Sequence, residues 1–294
     1  MTIDWGTAIP IMVAFGSATT AQIISHRFAE KREENKYKKE SLQNLYSPVI
    51  FQIVEYIQFE NAKAIMKADG EFEEENPLNP RIVFERIMET TGQNMKYAQP
   101  ELIMRYEVVK STFTRSSKEK NDDRYMFEIK MELCGEFLME FIKISSEIGT
   151  LSRAVEDKIN PTLFFTQFYL LLKELGCWML TDILLLEFHL LKDILLPPEN
   201  EFLEKILDVR KNINYELETH YKNKSISRAS EACEAGYQFV HEVIKEFIEF
   251  HPKQGGYWMG ELEEVLNDNI EYEIELEKEM KFLEETKLME RDRL

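Results

Sequence analysis

Histidines are the first residues to test for chemistry in this chain, because they bind metals and transfer protons near neutral pH. In helical proteins with two-metal centres, a glutamate stands three residues before a metal-binding histidine. The sequence contains five histidines, which are His26, His189, His220, His241 and His251. The residues three before them are Ile23, Leu186, Leu217, Gln238 and Ile248. None of these is acidic, so the di-metal signature is missing, and His-Glu-x-x-His is missing as well.

Nucleotide-binding and hydrolase motifs do not occur either. The sequence has no Gly-Lys-Ser or Gly-Lys-Thr, no Gly-x-Ser-x-Gly and no Gly-x-Gly-x-x-Gly. Its three cysteines, Cys134, Cys177 and Cys233, are too far apart to form a Cys-x-x-Cys pair. Each lies in an apolar helical segment. We predict that they are free, buried thiols in a reducing compartment, Cys177 among them.

One set of polar residues could support acid–base chemistry. Glu234, Tyr237, His241 and Lys245 recur along one face of a predicted helix, and such groups can exchange protons. A hydrogen-bonded helix face explains the same spacing and is the favoured interpretation. His189 stands among apolar neighbours and is predicted to be a core or boundary residue. The sequence therefore assigns no catalytic, cofactor-binding or metal-binding residue, and no cofactor.

The N-terminal segment has the length and the lack of charge that are typical of a membrane-spanning helix. Residues 5–24 carry no formal charge, and about 20 helical residues cross a bilayer core. The predicted membrane-anchor residues are Trp5, Ile9, Ile11, Val13, Phe15, Ile23 and Ile24. Gly, Pro, Thr, Ser and Gln interrupt them, so two alternatives stay open. The segment could pack inside or against a soluble bundle, or it could be a cleaved signal peptide, which the acidic start disfavours.

A basic run follows the uncharged segment and sets its orientation. The predicted juxtamembrane basic residues are Arg27, Lys31, Arg32, Lys36, Lys38 and Lys39. Because Lys and Arg beside a span stay in the cytoplasm, we expect a single-pass protein of the cell membrane, with its N-terminus outside and its C-terminal domain in the cytoplasm. The lipid bilayer is then its first partner.

Two features could join copies of the chain. Ala14 and Ala18 are small residues four apart, a spacing that lets membrane helices approach closely. The acidic C-terminal helix, predicted over 259–291, carries an approximate apolar stripe. This helix could form a coiled coil or bind another protein, although packing on its own bundle is favoured. A homo-oligomer is one possible outcome of either contact.

Composition limits the remaining functions. The net charge is −18 at pH 7, and a strongly acidic domain repels nucleic acid backbones. Nucleic acid binding is therefore disfavoured. Hydrophobic residues make up 44% of the chain, which is enough to build a core. Apolar residues recur three and four apart rather than in alternation, and this pattern is typical of helices.

We predict an all-α protein in which one transmembrane helix precedes a cytosolic multi-helix bundle. The predicted domains are an anchor (1–25), a juxtamembrane helical stalk (26–68), a helical bundle (69–258) and an acidic C-terminal helix (259–294). The predicted helices are 5–46, 48–68, 80–97, 100–117, 124–158, 161–195, 199–222, 226–250 and 259–291.

Proline and glycine mark the predicted helix ends. Ser47-Pro48, Asn79-Pro80 and Asn160-Pro161 each pair a capping residue with a proline suited to the first helical position. The apolar segment 161–198 carries too many charges for a second span, and we interpret it as the central helix of the bundle. Residues 251–257 are predicted to form a loop, with Gly255-Gly256-Tyr257-Trp258 as a turn that has exposed aromatic side chains.

The sequence of residues 31–57 is similar to that of a group of other proteins. These residues include Leu45, Tyr46, Ser47 and Pro48, a turn that opens an amphipathic helix. Together with the preceding span and charged helix, this segment resembles a loose group of uncharacterised bacterial and phage-type membrane-anchored proteins. The resemblance covers about the first 60 residues and implies an anchored helical protein, without an activity or site residues.

Three functions follow as hypotheses from these observations. The favoured one is a membrane-anchored protein that acts by binding, as a scaffold, sensor or inhibitor at the membrane face. An enzyme on a helical bundle would instead require a concave pocket with perturbed ionisable groups. The third is a soluble helical protein that packs residues 5–24 in its core.

Overall fold

The chain folds as an all-α protein in a computed structural model, which describes residues 26–70, 79–116, 123–195, 201–223 and 226–267. Helices and short turns make up these ranges, and none of the described residues forms a strand. The predicted all-α class and helical bundle are confirmed.

The first described helix continues through the proline where we predicted a break. Helix α1 covers residues 26–41 and passes through a π-helical segment, Leu42–Tyr46, into α2, Ser47–Ala68. The N–H of Ser47 donates to the carbonyl of Leu42, five residues back. This wider turn accommodates Pro48, which has no N–H to donate and would crowd a regular α-turn. The predicted helix end before Pro48 is therefore wrong.

The next two helices match the prediction closely. Helix α3 covers Pro80–Gln93, and a 3-10 turn, Met95–Tyr97, leads to α4, Pro100–Ser116. The side chain of Asn79 accepts a hydrogen bond of 3.0 Å from the N–H of Arg81. The capping function predicted for the Asn79-Pro80 pair is thereby confirmed.

The predicted helix break at Asn160-Pro161 is wrong. Helix α5 covers Asp123–Glu147 and ends before Gly149, whose φ of +66° suits glycine best. Helix α6 then covers Arg153–Glu174 and contains Pro161 in its interior. A run of buried side chains from Ile159 onward packs α6 into the core, and this burial outweighs the backbone hydrogen bond that proline cannot make.

The predicted helix 161–195 is divided into several pieces. Gly176, at a φ of +74°, ends α6, and the N–H of Cys177 donates to the carbonyl of Leu172 at 2.8 Å. Two short helices follow, α7 at Trp178–Leu186 and α8 at Leu191–Leu195, with a 3-10 turn between them. A single left-handed residue can end a helix without a long glycine-rich loop. The apolar pattern therefore continues across Gly176, and it does not indicate that the helix ends there.

Three helices complete the described fold. They are α9 at Phe202–Asn223, α10 at Ile226–Phe250 and α11 at residues 252–267. The predicted loop 251–257 is wrong, because helix resumes at residue 252 with both glycines inside it. Trp258 is fully buried and stacks on Phe247, with ring centroids 4.6 Å apart, whereas Tyr257 is exposed.

Helix α6 lies at the centre of the bundle, as predicted. It packs against α5, α7 and α9, and its largest side chains, Phe164, Phe165 and Phe168, are fully buried. Helix α2 also reaches the core, where it packs on α3, α5 and α7. The second half of the segment predicted as a stalk, 26–68, is therefore built into the bundle.

No helix among the described residues is both long and apolar enough to cross a membrane. This finding includes the apolar helix α6, for which a second span was considered from sequence. The predicted span, residues 5–24, lies outside the described residues, and so does the predicted C-terminal helix beyond residue 267.

The close approach of α11 to α10 makes Gly255 sensitive to substitution. A Cβ atom at this position would lie 2.8 Å from the Cα of Ile248 and 2.9 Å from its nitrogen. Because backbone must move to relieve that contact, we expect Gly255→Ala to lower the free energy of unfolding by about 1–3 kcal/mol. The midpoint of thermal unfolding measures the effect.

Gly256 supplies a matched control in the same helix. Nothing lies within 4 Å of a Cβ atom built there, and alanine favours a helix over glycine by about 0.5–1 kcal/mol. We expect Gly256→Ala to raise the unfolding midpoint. If both variants shifted it in the same direction, the close packing of α11 on Ile248 would be contradicted.

Candidate functional site

The predicted anchor residues cannot be placed. All seven, from Trp5 to Ile24, lie outside the described residues, as do Ala14 and Ala18. The predicted basic residues are described and lie on α1. Five of them are exposed, namely Arg27, Lys31, Arg32, Lys36 and Lys39. Lys38 is more buried and pairs with Glu34 and, at 2.9 Å, with Glu147 at the end of α5.

The polar residues singled out on α10 differ in their surroundings. The phenol of Tyr237 donates a hydrogen bond of 2.7 Å to the carbonyl of Leu175, so it binds α10 to the end of α6. Glu234 and Lys245 are exposed, and His241 is half-buried. The side-chain amide of Gln238 donates a hydrogen bond of 3.4 Å to the carboxylate of Glu234. The favoured interpretation, a helix face, fits this arrangement.

Of the other chemistry-bearing residues, Cys134 and Cys177 meet the prediction, Cys233 meets it only in being free, and His189 does not meet it. Cys134 and Cys177 are buried and free, and Cys233 is half-buried and free. Burial raises the pKa of the Cys177 thiol to about 12, which disfavours the reactive thiolate. His189 is exposed in the 3-10 turn before α8 rather than in the core or at its boundary, because the predicted continuous helix 161–195 is interrupted after Leu186, where α7 ends. The described residues hold no cluster of His, Cys, Asp or Glu that could bind a metal.

The structure brings together a different set of residues in an open cleft of about 330 Å³. Helices α2, α5, α6 and α7 contribute to its walls. Four cationic side chains line it, Lys63, Lys67, Arg124 and Lys130. Two carboxylates accompany them, Glu60 and Asp182. Among the described lining residues, cations thus outnumber carboxylates, although the net charge of the chain is −18. We call it the cationic cleft.

Lys130 is the innermost cation of the cationic cleft. Its ammonium nitrogen lies 5.0 Å from the centroid of the Phe84 ring, 5.4 Å from that of Phe113 and 6.0 Å from that of Tyr56. Burial lowers the pKa of Lys130, the carboxylate of Glu60 opposes this shift, and Lys63 adds to it. The aromatic rings partly replace the water that the ammonium loses.

Arg124 and Asp182 form one side of the cationic cleft. The guanidinium donates to the carboxylate at 2.8 Å, and it also lies over the ring of Trp178, 5.6 Å from the centroid. Both partners are about half exposed, at 42% and 57%. Solvent screens such a pair, so the carboxylate of Asp182 contributes little to holding this arginine in place.

Apolar side chains complete the lining. They are Ala64, Met126, Phe127, Leu185 and the ring of Tyr169. The ring of Tyr169 meets Phe127 edge to face, with centroids 5.1 Å apart. A cleft with an apolar wall and a few convergent charges is the usual form of a small-molecule site.

A second polar cluster lies at the π-helical segment. The phenol of Tyr46 donates a hydrogen bond to the carboxyl of Glu140 on α5, and both residues are buried. Burial raises the pKa of Glu140 to about 7, and the nearby carboxylates of Glu136 and Glu101 act in the same direction. A bound proton is thereby held inside the bundle near neutral pH. The cationic cleft combines ionisable groups with a cavity of about 330 Å³ and is therefore the stronger candidate site.

The sequence did not predict the cationic cleft, because its residues match no histidine, cysteine or nucleotide-binding motif. A local signal was present, since Lys63 and Lys67 are four residues apart and share one face of α2. Nothing local indicated that Lys130 would lie opposite them, about 60 residues along the chain.

No family model, curated protein or solved structure matches this chain. The function therefore has to be argued from the helices and the site alone.

Proposed function

We propose that this chain is a membrane-anchored helical protein that acts by binding at the cytoplasmic face. One observation carries the proposal. Helix α1, which directly follows the uncharged segment 5–24, is basic and exposed, and it continues through the π-helical segment into the core helix α2. A span at residues 5–24 would thus have its positive flank on a helix that continues into the bundle, at the level of the lipid headgroups.

The side-chain contacts of α1 support this arrangement. Lys38 pairs with Glu147, and the phenol of Tyr37 donates to the carbonyl of Lys96 at 3.4 Å. Both contacts lie near the bundle end of α1. The part of α1 nearest the predicted span carries Phe28, 61% exposed, among basic residues. Such a composition suits a helix that emerges from a bilayer.

A charge placed in the segment tests the anchor in the full chain. An arginine at the centre of a span costs about 2.5–3.5 kcal/mol on insertion scales. We expect the native chain to stay in membranes washed with carbonate, and Phe15→Arg to be released. Phe28→Arg changes an exposed apolar residue outside the segment and is expected to stay with the membrane. Immunoblotting of pellet and supernatant measures the partition.

Two results would contradict the anchor. Release of the native chain by carbonate would favour the soluble alternative, in which residues 5–24 pack on the bundle. Retention of Phe15→Arg would show that another surface holds the protein. Protease added outside sealed cells tests orientation, because a C-terminal tag on the native chain is expected to be protected.

An enzyme on the same bundle is the second candidate, and one observation favours it. The cationic cleft is a concave site that gathers ionisable groups, and burial lowers the pKa of Lys130 within it. Lysines with a lowered pKa act as bases and nucleophiles in some enzymes. Among the described residues, the lining includes no histidine or cysteine, and Cys134, which interacts electrostatically with Lys130, is fully buried.

A further inference from the structure

We propose that Lys130 in the cationic cleft binds an aldehyde covalently, as an imine, and that this aldehyde carries an aromatic or other apolar group. The inference goes beyond the anchor, since the cleft lies in the bundle, and it gives the second candidate function a class of substrate. Three features of the cleft lead to this chemistry: a cavity that reaches Lys130, the apolar surroundings of its amine, and the apolar wall beside it.

The cavity gives a carbonyl compound room to reach the amine. Lys130 on α5 is half-buried and is one of the residues that line the volume of about 330 Å³, a size typical of small-molecule sites. Lysine amines form imines with carbonyl substrates. An aldehyde reaches a recessed amine more easily than a ketone does, because its carbonyl carbon carries a hydrogen in place of a second carbon substituent.

The surroundings of the amine favour its neutral form, which is the nucleophile. The nitrogen of Lys130 lies 5.0 Å from the centroid of the Phe84 ring, 5.4 Å from that of Phe113 and 6.0 Å from that of Tyr56. Burial against these rings is the largest influence on the pKa of Lys130 and lowers it, because an ammonium loses more hydration than an amine does. The neutral amine is therefore present at a lower pH than in an exposed lysine.

Charged and titratable groups reach the amine from several helices. Those that line the cleft with it are Glu60, Lys63 and Lys67 on α2, Arg124 on α5, Tyr169 on α6 and Asp182 on α7. The carboxylate of Glu60 raises the pKa of Lys130, and Cys134 on α5 acts in the same direction. Lys63 lowers this pKa, as does Arg81 on α3. These influences are smaller than that of burial, so the pKa of Lys130 is lowered overall.

The reaction consumes one aldehyde and releases one water. The lone pair of the Lys130 nitrogen attacks the carbonyl carbon, and the second bond between carbon and oxygen breaks. Through water in the open cleft, the oxygen gains a proton and the nitrogen loses one, which gives a carbinolamine. The hydroxyl group then leaves as water, and a double bond forms between carbon and nitrogen. No oxidant or reductant is needed for this step.

The apolar wall points to the group attached to the carbonyl. Met126, Phe127 and Leu185 present apolar surface to the same cavity. Removal of about 55 Å² of apolar surface from water corresponds to about tenfold in affinity, and one face of a benzene ring offers surface on this scale. An aromatic aldehyde is therefore expected to react faster at Lys130 than a small polar aldehyde does.

Reductive trapping on the native full chain tests the proposal. Sodium cyanoborohydride reduces an imine to a stable amine, so benzaldehyde leaves a benzyl group on each lysine that forms an imine, and mass spectrometry of the digest quantifies each site. At pH 7 we expect Lys130 to be labelled about tenfold faster than Lys158. Lys158 is the matched control, because it is exposed and lies over the ring of Phe51, 5.0 Å from the centroid.

The dependence on the aldehyde separates a cleft site from ordinary surface labelling. We expect the rate at Lys130 to saturate as the benzaldehyde concentration rises, and the rate at Lys158 to rise in proportion. Glycolaldehyde, which carries no apolar group, is expected to label the two lysines at more similar rates. Labelling of Lys130 no faster than Lys158 would overturn the proposal, and so would a rate at Lys130 that never saturates.

Glu60→Gln tests whether the surroundings of the amine set its reactivity. Glu60 is 8% exposed, and its carboxylate raises the pKa of Lys130. Its replacement is therefore expected to move the pH profile of labelling at Lys130 to lower pH and to leave that of Lys158 unchanged. An unchanged profile at Lys130 in a variant with native helicity would contradict the proposal. None of these results depends on the outcome for Phe15→Arg.

Discussion

Replacing Arg210 with methionine is expected to lower the free energy of unfolding by about 3–5 kcal/mol. Arg210 on α9 donates to both carboxylate oxygens of Glu174 on α6, at 3.2 and 2.6 Å, and also to the side-chain carbonyl of Gln167. Arg210 and Glu174 are only 15% and 16% exposed. Methionine would leave the carboxylate largely buried with its charge uncompensated, and that loss determines the size of the effect.

An exposed pair on the surface supplies the control. Arg81 and Glu85 on α3 are 2.9 Å apart and are 74% and 55% exposed. Because solvent screens exposed pairs, Arg81→Met is expected to change stability by less than about 1 kcal/mol. Urea unfolding followed by circular dichroism compares the two variants. Equal losses would show that burial of the Arg210 pair does not matter.

The double variant separates the pair from the residues around it. When Glu174→Gln is added to Arg210→Met, the buried negative charge is removed, and part of the lost stability is expected to return. Gln167 still loses its partner in this variant, so recovery is expected to be incomplete. No recovery would indicate that packing of the arginine stem, rather than its charge, stabilises the contact between α6 and α9.

The second large effect concerns pH. Glu140 is 8% exposed, and burial raises its pKa from 4.5 to about 7, while the hydrogen bond from Tyr46 opposes the shift and Glu136 and Glu101 add to it. The native state therefore binds a proton that the unfolded chain releases between about pH 4.5 and pH 7. Stability that depends on this proton is fully present below pH 4.5, falls as the pH rises, and is lost above pH 7.

The loss amounts to about 3 kcal/mol, since each pKa unit corresponds to about 1.4 kcal/mol. Glu140→Gln imitates the protonated carboxyl and still accepts from Tyr46. We expect this variant to match the native chain near pH 4.5 and to be more stable by about 3 kcal/mol at pH 8. Unfolding in urea at a series of pH values measures the difference in stability between Glu140→Gln and the native chain. The titration of groups that both chains share cancels in this difference.

Tyr46→Phe tests the pKa of Glu140 by removing the hydrogen bond that its carboxyl accepts. The hydrogen bond from Tyr46 lowers the pKa of Glu140, so its removal is expected to move the pH-dependent loss of stability to higher pH. A stability difference between the native chain and Glu140→Gln that did not change with pH would contradict a carboxyl with a raised pKa. Groups facing Glu140 from its own helix and from α4, such as Lys143 and Glu101, remain unchanged in both variants.

Local patterns in the sequence were sufficient to predict the class of fold. Apolar spacing predicted an all-α protein, and Asn79-Pro80 marked a helix start correctly, because a cap depends only on residues within one turn. The central position predicted for the apolar segment 161–198 holds for its first part, which lies in α6, but the prediction of a single helix over that segment is wrong. Whether residues 5–24 enter a membrane stays a prediction.

Tertiary structure decided where helices end and which side chains meet. Pro161 lies inside α6 because burial of that helix outweighs a local preference, and one left-handed glycine, Gly176, divides an apolar run that looked continuous. Tyr46 meets Glu140 across 94 residues of sequence, and Lys130 comes to face Lys63 only through the packing of α5 on α2. Spacing along a chain reports which residues share a helix face. The charge and solvation of a cleft depend on how distant helices pack, and local spacing does not contain that information.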